Sequence, residues 1–74
     1  MTKARAQKHL NNSRENLKYW QEYYVEACRS KNPMMDTKLH LYNGVTPREA
    51  MKKEAIENMN EAKERIARLE RIVR

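Results

Sequence analysis

The sequence predicts an all-α protein, an antiparallel helical hairpin of two long amphipathic helices with a short middle helix or structured connection between them. Apolar residues recur in two stripes that step alternately by four and three residues. Thr46 and Pro47 open the second stripe with strong helix-start signals. Pro33 and Gly44 interrupt the chain between the stripes.

The first stripe is Ala6, Leu10, Ser13, Leu17, Trp20, Tyr24, Ala27 and Lys31, the spacing of a coiled-coil-like seam. Its early part is weak, because Asn11, Asn12 and Ser13 are poor helix formers whose side chains compete for backbone hydrogen bonds. Asn12 with Glu15 three residues later fits a capping box. The stable helix is therefore expected over residues 12–31, with residues 1–11 as a flexible basic arm that orders on contact. Pro33 disfavours helical geometry in the residue before it, so the helix should stop at Asn32.

Residues 32–46 form a connection longer than bundle loops usually are, so some structure is expected within it. Met35, Leu39 and Tyr42 stand at i, i+4 and i+7, which suits one or two helical turns lying across the aromatic end of the first helix. The alternative is a short extended stretch with Leu39 and Leu41 alternating before an Asn43-Gly44 turn.

The second helix is expected over residues 47–73. Thr46 as cap and Glu49 three residues later form a capping box, with Pro47 at the first helical position. Ala55, Met59, Ala62, Ile66, Leu69 and Val73 make its seam, with Met51 and Ile56 widening it. Glu49–Lys53, Glu61–Arg65, Glu64–Arg68 and Glu70–Arg74 place acid before base at i, i+4, the favourable orientation. The small Ala55 and Ala62 offer room for the large rings of the first helix.

With 74 residues there is one domain at most, and a chain this short buries only about 60% of its extended surface. A partner or a second copy is the natural remedy. Charge points the same way. The net charge of +6 suits acidic partners, and the excess lies early: Lys3, Arg5, Lys8, Arg14 and Lys18 face Glu15 alone in residues 1–18. The single cysteine, Cys28, excludes an internal disulfide and reads as a small buried hydrophobe at the edge of the stripe. No apolar run exceeds three residues, so neither a membrane span nor a signal-peptide core is expected. Residence in a reducing cytosol, of a cell or of a virus-infected host, follows as the default. The composition is of a kind common among small phage accessory proteins and bacterial regulators.

No catalytic constellation is visible. The carboxylates sit beside Lys or Arg on helix faces, and Gly44 is the only glycine, too few for a phosphate loop. His9, His40 and Cys28 lack metal-ligand spacing, so neither a metal nor another cofactor is expected. At 100° per residue, Tyr19, Trp20, Tyr23, Tyr24 and Cys28 cover about half of the first helix's circumference, more than one neighbouring helix can hide. Leu17, Trp20, Tyr23 and Tyr24 are accordingly the expected protein interface, with a dimer as one way of covering it. The competing reading is that the rings close the core beneath the connection. The function expected is that of a non-enzymatic protein that binds and modulates another, as regulator or inhibitor. The alternative is nucleic-acid binding, with Lys3, Arg5, Lys8, Arg14 and Lys18 on phosphates and Tyr19 and Tyr23 stacking on exposed bases.

Overall fold

The computed structural model describes residues 2–38 and 43–74. Two 27-residue helices, α1 (Lys3–Arg29) and α2 (Pro47–Val73), pack antiparallel along their length. A 3-10 turn at Pro33–Asp36 lies between them in sequence. There is no strand among the described residues, and the chain is an all-α hairpin.

The N-terminal arm is not separate from the helix. Thr2 caps α1, its Oγ1 accepting from the Arg5 N–H at 3.2 Å, and the helix runs through Asn11, Asn12 and Ser13 without a break. Asn12 is an interior residue and caps nothing. Tertiary packing overrides the weak local propensity: Ala6 and Leu10 are wholly buried against Leu69, with Ile66 and Val73 around them. The segment expected to be loose thus holds part of a well-buried apolar cluster.

Among the described residues, Ala6, Leu10, Ser13 and Ala27 of α1 and Ala55, Ala62 and Leu69 of α2 are buried. All seven lie on the predicted seams. Four of them are alanines and one is a serine, so the helices approach closely and the core is thin. Among the described residues, Leu10 is the only large side chain that is fully enclosed. The antiparallel register is set by Ala27 against Arg48 at one end and by Ala6 and Leu10 against Leu69 at the other. By that register Trp20 comes level with Ala55, and Ala62 with the small Ser13.

The helix α1 stops at Arg29, two residues short of the expected last residue, Lys31, which is exposed beyond the seam. Ser30 leaves helical geometry, its N–H still donating to the Glu26 carbonyl. Arg48 of α2 takes over the last turn: its guanidinium donates to the carbonyls of Ala27 (2.6 Å), Cys28 (3.1 Å) and Ser30 (2.6 Å). It also pairs with Asp36 of the 3-10 turn at 2.9 Å. That turn, capped by Asn32, consequently leans on α2; of the three residues expected to lie across the aromatic end of α1, only Met35 is among those described. Met35 is half-buried there. Leu39, His40, Leu41 and Tyr42 lie outside the described residues. Asn43 and Gly44 both have positive φ (56° and 85°), the combination a primed turn requires.

The start of α2 follows expectation, with Thr46 Oγ1 accepting from the Glu49 N–H at 3.2 Å and Pro47 in the first turn. None of the four i, i+4 acid–base pairs closes to ion-pair distance; Arg48–Asp36 is the one ion pair among the described residues. Fully solvated side chains gain too little from such pairing to be held in one geometry.

Candidate interaction face

A two-helix layer has two broad faces, and the register decides which flank of α1 shares a face with which flank of α2. An open groove of about 570 Å³ fixes one of them. His9, Asn12 and Asn16 line it from α1 and Arg65 from α2, over a floor of Ser13 and Leu69. One helical repeat further along the same flank of α1 stand Tyr19 and Tyr23, with Trp20 at the edge of the seam.

These three rings form a contiguous cluster. Trp20 meets Tyr19 and Tyr23 edge-on, both at 5.1 Å between centroids, and Tyr19 and Tyr23 are tilted at 6.2 Å. Such contacts are worth about 0.5–1.5 kcal/mol each beyond the area they bury. The cluster is preorganised and graded in exposure: Tyr19 is 56% exposed, whereas Trp20 and Tyr23 are half-buried.

The four residues expected at an interface therefore divide. Trp20 and Tyr23 belong to the cluster, whereas Leu17 and Tyr24 are half-buried at the seam on its other side. Lys52 of α2 lies over the Tyr24 ring, 5.6 Å from its centroid, which helps hold Tyr24 in the seam. Tyr19, one step outside the stripe, is the most exposed ring and completes the cluster.

The five early bases also divide. Lys3, Arg14 and Lys18 point to the face opposite the rings, Arg5 lies on the ring side, and Lys8 lies on the outer edge of α1. Cys28 is exposed and not the buried hydrophobe expected, because it sits one position past the seam. His9 is an exposed helix residue on the groove wall. Among the described residues no three His, Cys, Asp or Glu side chains gather as a metal site would require. No helix among them is long and apolar enough to cross a membrane.

The hydrogen bond from Arg48 holds the Asp36 carboxyl below its ordinary value, and the same bond raises the arginine. This clasp had a faint sequence signal: an arginine directly after the helix-opening proline. Its partners are backbone carbonyls about twenty residues away, and no side-chain pattern reports those.

No family model, curated protein or solved structure matches this chain.

Proposed function

We propose that this protein is a non-enzymatic interaction module that docks its ring-bearing face on another protein and modulates that protein's activity. A second copy of the chain occupies the same face when the partner is absent. The observation that carries the reading is the cluster of Tyr19, Trp20 and Tyr23, prepacked by mutual ring contacts, whose outermost ring, Tyr19, is exposed on a face where the charges balance. On that face Arg5, Arg65 and Arg68 are matched by Glu26, Glu54 and Glu61, so a second copy meets no net repulsion.

Shape supports the same reading. The hairpin measures 48 × 21 × 13 Å, one helix thick, with a radius of gyration of 16.0 Å. A compact chain of 74 residues would have about 11 Å. Its accessible surface is 5880 Å², against about 4,800 Å² for a compact monomer of this mass. The difference is of the order of the ~800 Å² that each partner contributes to a stable interface. The module works in a reducing cytosol, where Cys28 stays a thiol.

Sedimentation over a wide concentration range tests the reading. Wild-type protein should dimerise, and Tyr19→Ala/Tyr23→Ala should remain monomeric with its helical circular dichroism unchanged. A wild-type chain that stays monomeric and cooperatively folded at every concentration would remove the argument from unburied surface.

A further inference from the structure

We propose that the face opposite the rings binds the phosphate backbone of a nucleic-acid duplex without reading its sequence. The proposal concerns different residues from the aromatic face and stands or falls separately from it.

The antiparallel register puts Lys3, Arg14 and Lys18 of α1 beside Lys52, Lys63 and Arg74 of α2. Glu49, Glu57 and Glu70 are the acids beside them, and Lys53 is a further base there. The net charge of the chain is +6, and most of it is thus gathered on one side of a flat molecule, while the ring side is balanced. A merely solubilising coat of charge needs no such segregation. Five of the six bases are exposed, Lys52 being half-buried over Tyr24, and none of the six is in an ion pair. Their charge is available to an outside anion.

The geometry favours a duplex. The bases form two rows, one on each helix, separated by the usual interhelical distance of about 8–10 Å. They extend along roughly 30 Å of helix at 1.5 Å per residue. Two phosphate rails flanking a groove about 6–12 Å wide present a matching pattern, and 30 Å spans about nine base pairs at 3.4 Å each. Single strands are gripped by stacking bases on rings set within the basic surface. Here Tyr19 and Tyr23 are on the other face, which sets aside the stacking role that the sequence suggests for them. Val25 and Ile56 are exposed on the basic side, at 42% and 44%. Two isolated apolar residues do not make the continuous stripe that a membrane-surface helix buries.

The experiment is a salt titration of a fluorescent duplex of mixed sequence, with two triple variants of equal charge change. If all six bases meet phosphates, log K should fall against log salt with a slope of about −5, and Arg14→Gln/Lys18→Gln/Lys63→Gln should reduce it to about −3. The variant on the opposite face, Arg5→Gln/Arg65→Gln/Arg68→Gln, should leave the slope near −5. Equal loss from both variants would mean that net charge and not this face does the binding, and would overturn the proposal. So would displacement of the duplex by poly-glutamate or by anionic phosphatidylserine vesicles at equal charge concentration, or the lack of any duplex binding at low salt. Circular dichroism of each variant confirms that the helices remain.

Discussion

Arg48 joins the Ala27 and Cys28 carbonyls of α1, the carbonyl of its cap Ser30 and the carboxylate of Asp36 through one guanidinium. A planar fork of five donors can serve four acceptors at once, whereas a lysine is a point charge. Arg48→Lys should therefore destabilise the hairpin nearly as much as Arg48→Ala, read as a fall in melting temperature and faster hydrogen exchange around Ser30. Asp36→Asn should cost less, because the Asp36 side chain is 66% exposed and its pairing is screened by water. The sign of the pH dependence follows from its lowered carboxyl. What Asp36 contributes is fully present above its ordinary value of 3.8 and fades as pH falls through the lower folded value. Wild type should lose a small increment of stability in that acid range which Asp36→Asn lacks. At the other end of α1 the cap is half-built. Thr2 accepts from Arg5, where a capping box would have Glu, and the first turn holds Lys3 and Arg5 with no acid. Arg5→Glu should add about 0.5–1 kcal/mol by completing the box and complementing the helix dipole, measurable by urea denaturation.

Each helix shows how periodicity and packing share the outcome. Both seams are legible because burial against one neighbour repeats every 3.5 residues, and residues from Ala6 to Leu69 obey it. The beginning of α1 is not legible from the same letters, since the Asn11-Asn12-Ser13 run argues locally against a helix that Leu10 and Leu69 stabilise from a distance. That difference has a measurable consequence. Leu10→Ala should cost about 2–5 kcal/mol, the range for emptying a packed leucine site, and should unfold the first turns of α1 together with the last turns of α2. A detached basic arm would make the same substitution almost silent. In the middle of the hairpin the small residues set the helix separation, so Ala62→Leu should cost about 1–3 kcal/mol by overpacking opposite Ser13.

For the molecule as a whole, the decisive feature is that one layer of two helices cannot enclose its own apolar and charged residues. Seven of the described residues are buried, Leu10 alone among them being both large and fully enclosed. A chain with so thin a core gains stability from anything that covers a face. Melting temperature should accordingly rise with protein concentration if the rings meet a second copy. It should rise again on adding duplex at low salt if the basic side is occupied, an increment that Arg14→Gln/Lys18→Gln/Lys63→Gln would lose. Because the two faces are on opposite sides, the increments should add, as independent sites do.

The sequence by itself determined the hairpin, the cap at Thr46, the seam of each helix and the surplus of rings over what one neighbour can hide. These depend on spacing within a single helix, and 3.5- or 3.6-residue geometry converts spacing directly into direction. The tertiary structure alone decided that Ala6 and Leu10 anchor the open end, that Arg48 closes the loop end, and that the early bases belong to different faces. Each depends on how α1 and α2 are aligned against each other. That alignment is settled by contacts between residues twenty to sixty positions apart, about which local propensity and periodicity carry no information.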